Sequence, residues 1–192
     1  MLKGSWLALA LAVAIYPAAA AHAQGGFYGE GNTTWISGNT VGGDSPAGPS
    51  GKATGIGGTF GTYYDFLHLG PLGLGGDLRF SFAHDGAISL YGNELNYGDA
   101  GLRISGKVPV WPVRPYAEAG VLRASTNYAY HTAMHGGLGY GYQVGADVDV
   151  LPHLDLRVEY AGGYAGGMGS NIGTTSLTFN QIQGGFVIWF GR

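Results

Sequence analysis

Leu154-Asp155-Leu156-Arg157-Val158-Glu159-Tyr160 decides the fold. Apolar and charged residues alternate without a break, and a spacing of two marks one face of an extended strand. A helix would scatter the same charges around its circumference. The stretch therefore has one apolar and one charged face. The same alternation recurs elsewhere. Leu138, Tyr140, Tyr142, Val144, Ala146, Val148 and Val150 oppose Gly139, Gly141, Gln143, Gly145, Asp147 and Asp149. Leu74, Leu78, Phe80 and Phe82 oppose Asp77, Arg79 and Ser81, and Ala100, Leu102, Ile104 and Val108 oppose Asp99, Arg103 and Lys107.

Carried along the chain, the period predicts eight strands: Phe27–Trp35, Ala53–Tyr64, Leu72–Ala83, Leu95–Val108, Arg114–Tyr128, Leu138–Val150, Leu154–Ala165 and Leu177–Phe190. Three connections are short and carry Pro, at Phe66–Pro71, Pro109–Pro112 and Leu151–His153. The other four, Ser37–Lys52, Asp85–Glu94, Ala129–Gly136 and Gly166–Thr175, are mostly longer and richer in Gly, Ser, Asn and Thr. Short turns at one end and longer loops at the other describe an eight-stranded antiparallel up-and-down β-barrel, with the asymmetry of an outer-membrane protein.

Alternation does not say which face is wet. A soluble periplasmic ligand-binding barrel would put the apolar face inside. Three features favour the inverse, transmembrane arrangement. The charged face also holds many of the chain's 38 glycines, as a crowded lumen would need. The apolar face is rich in Tyr and Phe near strand ends, as an interfacial girdle requires. Only 11% of the 192 residues are charged, too few for an ordinary soluble surface. The parity breaks at Arg123, which opposes Glu118, and at Leu177 and Phe179, which oppose Phe186 and Ile188; these sites are expected to be bulges or to lie above the membrane.

Composition removes other classes. Without Cys there is no disulfide framework, thiolate metal site or thiol nucleophile. A net charge of -3 with no basic cluster argues against nucleic acid as a partner. The N-terminus runs from Lys3 through an apolar stretch, Trp6 to Tyr16, to Ala21-His22-Ala23, the layout of a secretory signal. Residues 1–23 are thus expected to be a cleaved signal peptide, and residues 24–192 the barrel domain.

Ala21-His22-Ala23, Gly26-Phe27-Tyr28-Gly29, Arg114-Pro115-Tyr116-Ala117-Glu118-Ala119-Gly120 and Gln183-Gly184-Gly185-Phe186-Val187-Ile188-Trp189-Phe190 occur in that order. With them the chain resembles the small eight-stranded outer-membrane barrels, the OmpA/OmpX-like outer membrane protein β-barrel domain group. The resemblance implies a porin-like superfamily membrane protein of the Gram-negative cell envelope, surrounded by outer-membrane lipid. It also implies that periplasmic chaperones and the barrel-assembly machinery act during biogenesis. The signal read by that machinery would be Gly184, Phe186, Ile188 and Phe190; the Gly191-Arg192 tail departs from the family's aromatic ending.

The expected lumen charge network is Glu30, Asp77, Arg79, Asp99, Arg103, Lys107, Glu118, Asp147, Asp149, Asp155, Arg157 and Glu159. Eight strands leave an interior that side chains fill, so the network reads as mutually satisfied charge rather than an ion path. Ser81, His84 and Asp85 lie close in sequence, but Ser81 and His84 have opposite parity and no catalytic triad is expected. His131 and His135 read as loop residues, and His68 and His153 as turn residues. Gly55–Gly61 and Gly137–Gly145 lack the Gly-Lys-Ser/Thr ending of a phosphate loop. The sequence thus predicts a monomeric structural or surface-interaction barrel with a side-chain-filled polar lumen. It predicts no enzyme activity, no cofactor and no metal. The alternatives are a lipid A-modifying enzyme, a small-solute channel and the soluble barrel already named.

Overall fold

The computed structural model describes residues 24–40, 52–85, 94–108, 110–128, 132–170 and 173–190. They form eight strands: β1 (Gln24–Thr40), β2 (Lys52–Leu69), β3 (Leu72–Asp85), β4 (Glu94–Gly106), β5 (Val113–Tyr128), β6 (Thr132–Leu151), β7 (Leu154–Ser170) and β8 (Gly173–Phe190). Each pairs antiparallel with its sequence neighbour, and β1 pairs with β8 to close the barrel. Closure leaves no sheet edge, which is what lets strands cross hydrocarbon with every backbone group paired. The β1–β8 seam runs unbroken from Gly25↔Phe190 to Thr40↔Thr175.

The predicted order and antiparallel closure are those observed, but most strands reach further, β4 alone ending early at Gly106. Residues 132–136, read as loop, belong to β6, residues 166–170 to β7 and residues 173–175 to β8. Only 129–131 separate β5 from β6 and only 171–172 separate β7 from β8, while 41–51 separate β1 from β2 and 86–93 separate β3 from β4. The signal segment 1–23 and His131 lie outside the described residues, as do the side chains of His135 and Asp85.

One face of every strand is buried in the barrel and the other is exposed. On β7, Leu156 and Val158 are exposed, at 43% and 63%, while Asp155, Arg157 and Glu159 are buried. The outer wall carries Phe27, Phe60, Phe80, Phe82, Leu102, Ile104, Val121, Leu138, Val144, Ile182, Phe186 and Ile188. That pattern is apolar-out and polar-in, the inverse of a water-soluble barrel. Arg123 is exposed on this outer face. It is not a bulge: β4 and β5 pair in register through it, and the irregularity between β5 and β6 falls after it, between Ala124 and Thr126.

The parity reversal in β8 has a different origin from a bulge. β8 keeps a continuous register with β1, yet Leu177 and Phe179 face inward while Phe186 and Ile188 face out. The strand stays regular, and it is the interior that changes character along the barrel axis. This corrects the expectation of a wholly polar lumen.

The inverted pattern generates a direct test. Val158→Arg places a charge on the outer wall, where it should destabilise the barrel by about 2–4 kcal/mol if that wall contacts hydrocarbon near mid-membrane. Urea unfolding of the barrel refolded into phospholipid vesicles reads the loss; an unchanged midpoint would mean that Val158 faces water.

Candidate functional site: the filled lumen

The interior is arranged in three tiers. Along β1 the inward residues run Tyr28, Glu30, Asn32, Thr34, Ile36, and along β3 they run Asp77, Arg79, Ser81, Ala83. Both progressions start at the short-turn end. β5 runs from Arg114, Tyr116 and Glu118 to Leu122 and Ala124; β8 adds Trp189 and Val187, packed with Tyr28 and Tyr63, at the charged end and then runs through Gln183 and Gln181 to Phe179 and Leu177. Charged groups thus give way to neutral polar groups, then to apolar ones.

The charged tier is built on four guanidinium groups. Arg79 makes a two-pronged contact with Asp99, Nε to Oδ1 at 3.0 Å and Nη2 to Oδ2 at 2.5 Å. Its remaining nitrogen, Nη1, donates to Gln143 Oε1 at 2.6 Å and Glu159 Oε1 at 3.1 Å. One side chain therefore links β3, β4, β6 and β7. Arg157 grips Asp147 through Nε at 2.6 Å and Nη2 at 3.0 Å, and Arg103 Nη2 donates to the same carboxylate at 3.0 Å. Arg114 pairs with Asp149 at 2.8 Å and with Asp155, which also accepts from the Trp189 indole. The planar fork of Arg suits such sites, because it satisfies two carboxylate oxygens at once.

Tyrosines complete the tier. Tyr28 donates to Asp77 Oδ1 at 2.7 Å and Tyr116 donates to Glu159. The Arg103 guanidinium lies over the rings of Tyr63 and Tyr116, 3.9 and 3.8 Å from their centroids. Such stacking stabilises a cation that is cut off from water. Glycine supplies the space. A Cβ at Gly101 would stand 2.5 Å from Glu118 Oε1, and one at Gly61 would collide with the Tyr28 hydroxyl.

Above the charges lies the neutral tier. Asn32 Nδ2 donates to Thr59 Oγ1 at 3.1 Å and Ser81 Oγ at 3.2 Å, and Gln181 Nε2 donates to Thr34 Oγ1 at 2.8 Å. Tyr97 donates to Gln181 Oε1 at 2.5 Å. The top tier is Ile36, Leu95, Tyr97, Leu122, Ala124, Ala165, Leu177 and Phe179, all buried. The Tyr97 and Phe179 rings pack with centroids 4.5 Å apart.

Of the twelve charged residues expected in the lumen, the structure buries Glu30, Asp77, Arg79, Asp99, Arg103, Glu118, Asp147, Asp155, Arg157 and Glu159. Asp149 is half-buried at the short-turn mouth beside Arg114. Lys107 does not belong there: β4 ends at Gly106, and Lys107 is exposed past the strand, where its backbone N–H donates to Pro71 O at 2.8 Å. Arg114 and Asp65 are interior charged groups that the sequence reading left out, although Arg114 and Glu118 share one parity, and Gln143, read on the charged face of its strand, is buried beside Arg79. Gly184, Phe186 and Ile188 lie on the outer wall of β8 and Phe190 is half-buried, its ring 5.3 Å from that of Phe27. Ser81 is buried in the lumen while His84 is exposed on the other side of β3, so the pair cannot meet.

Removing Arg79 would leave Asp99 and Glu159 without their shared cation. Arg79→Leu should therefore cost about 3–5 kcal/mol, the usual loss when one member of a buried ion pair is deleted. Arg79→Lys should destabilise to a lesser degree, since it keeps the charge and loses the fork. Urea midpoints of the refolded barrel measure both; equal stability of all three proteins would show that the tier contributes nothing.

Comparison with known proteins agrees with this geometry. The family model for the outer membrane protein β-barrel domain matches residues 6–190. A search of curated proteins by sequence gives no match. Among solved structures, Neisserial surface protein A shares 15% identity at a TM-score of 0.62, covering 84% of this chain and 96% of that one. Ail, the attachment invasion locus protein of Yersinia pestis, shares 10% at 0.56, covering 88% and 99%. The outer membrane protein OprG of Pseudomonas aeruginosa shares 12% at 0.52, covering 89% and 97%. At these identities the likeness speaks for the fold alone. Closed topology, inverted faces and the family match together place the chain in the outer membrane, as a member of the outer membrane protein β-barrel domain family.

Proposed function

We propose that the protein is a closed outer-membrane anchor that presents its outward connections for interaction at the cell surface, without conducting solutes or catalysing a reaction. The observation that carries this reading is the filling of the lumen. The apolar tier from Ile36 to Phe179 lies across the outer end, and the arginine lattice holds the inner end. An ion crossing the barrel would have to shed its hydration in the apolar tier and displace paired charges below it. The longest stretches between strands, residues 41–51 and 86–93, leave the barrel at the end opposite the short turns, which face the periplasm in such barrels. Two structures that share the fold are named for surface roles, a surface protein and an attachment invasion locus protein, in keeping with an anchor.

The route to the membrane belongs to the same proposal. Residues 1–23 direct export and are removed before Gln24, and periplasmic chaperones deliver the chain. The assembly machinery reads Gly184, Phe186, Ile188 and Phe190 on the last strand. The barrel then functions as a monomer in outer-membrane lipid.

Reconstitution into planar bilayers is expected to show no reproducible conductance steps from a preparation that is fully folded by heat-modifiable gel migration. Regular steps from the same preparation would make the protein a channel. Phe190→Ala is expected to lower the folded fraction in cells several-fold while leaving unassisted folding into vesicles nearly unchanged. An equal loss in both settings would assign Phe190 to stability rather than to recognition.

A further inference from the structure

Arg123 is a charge that the lumen does not absorb. Its side chain is exposed on the outer wall of β5, and among the described residues it has no hydrogen-bond or ion-pair partner. The pairing registers fix its height. A row of partners that leaves β1 at Tyr28 passes Asp99 and Leu122 and returns to β1 at Gly38, further towards the long-connection end. Rows therefore climb from β1 to β8, and a level ring drops steadily below them. Through Arg123 that ring passes near Phe82, Trp35, Asn180, Tyr164 and Tyr140. Apart from Asn180 these are exposed aromatic side chains, which mark the level where headgroups meet hydrocarbon. The long connections face outward in such barrels, so Arg123 stands at the headgroup level of the outer leaflet.

Around and beneath Arg123 the wall is hollowed into a depression of about 1010 Å³. Gly98 and Ala100 form its floor, Phe60, Phe80 and Phe82 one side, and Val121 and Leu138 the other. Intervening residues of the same strands, Tyr97 and Leu122 among them, are turned into the lumen. Gly98 pairs with both Phe80 and Arg123. A Cβ there would stand 3.2 Å from the Phe80 ring, so the missing side chain keeps the flank of Arg123 open. The next outward-facing pair, Asn96 and Ser125, also lines the depression.

An unpaired guanidinium on a hydrocarbon-facing wall is costly unless an anion of the headgroup layer meets it. Its fork suits phosphate. The apolar sides below it suit acyl chains. Asn96 and Ser125 add an amide and a hydroxyl, partners for the amide linkages of an acylated aminosugar, which a glycerophospholipid lacks. We propose that this depression binds a phosphorylated, acylated disaccharide of the outer leaflet, lipid A. Arg123 takes a phosphate, Asn96 and Ser125 take the amide linkages, and an acyl chain lies along Gly98 and Ala100.

Native mass spectrometry of the refolded barrel, released from mixed micelles containing lipid A, reads the lipid retained by each chain. Heat-modifiable gel migration checks that every variant is folded. Saturable retention of lipid A is expected. Arg123→Gln should weaken it about tenfold, the loss of one charge-assisted contact, and Arg123→Lys by less. Ala100→Trp, which fills the floor from outside, should weaken it with Arg123 in place. Lipid A stripped of its phosphates should bind the unaltered barrel no better than Arg123→Gln binds intact lipid A. Absence of retained lipid A, retention unaltered by Arg123→Gln, or equal retention of phosphatidylglycerol would overturn the proposal.

Discussion

A charge inside this barrel cannot escape to solvent, because the wall around it faces lipid. That constraint organises the interior. Buried carboxylates and guanidinium groups are drawn into pairs, since an unpaired charge in a low-dielectric site is costly; Glu30, neither of whose oxygens has a hydrogen-bond partner among the described residues, is an exception. Arg79 and Arg157 answer the constraint most fully. Each makes a two-pronged contact with an aspartate on a neighbouring strand, and Arg79 goes on to Gln143 and Glu159 on two further strands. Gly61 and Gly101 follow from it as well, for they leave room where Tyr28 and Glu118 reach inward.

The tiers turn one constraint into a directional structure. At the short-turn end, paired charges and stacked aromatic rings surround a cavity. In the middle, amides and hydroxyls satisfy one another, as Asn32, Thr59, Ser81 and Gln181 do. At the outer end, Leu122, Leu177 and Phe179 need no polar partner at all. Hydration is thus favoured at one end and opposed at the other.

The alternation that revealed the strands was legible because period two survives any strand length, and β7 shows it in seven consecutive residues. The sign of the faces was legible from glycine and charge sharing one parity. What escaped reading has identifiable causes. Leu177 and Phe179 conflict with Phe186 and Ile188 only under the assumption that one face keeps one polarity. Where the lumen turns apolar, hydrophobicity no longer tells inside from outside. Tyr28, Tyr63, Tyr97 and Tyr116 could serve either a girdle or a lumen, since the ring is apolar and the hydroxyl is not. Lys107 keeps the parity of Arg103 in sequence, but the strand stops one residue short of it. Residues 132–136 and 166–170 carry the glycines of a loop and yet extend β6 and β7, because pairing with the neighbouring strand outweighs a weak local preference.

The central claim is that the apolar tier seals the lumen from outside. The chain has no cysteine, so a single introduced thiol reports one place without background. Ser81→Cys and Ser105→Cys exchange only oxygen for sulfur, the first below the apolar tier and the second at the short-turn cavity. The decisive measurement is the reaction rate of each thiol with a small charged thiol reagent, added to one side of vesicles that hold the barrel in one orientation. The account predicts that Ser105→Cys reacts from the short-turn side alone and that Ser81→Cys is protected from the outer side. Rapid reaction of Ser81→Cys with reagent added outside would contradict it.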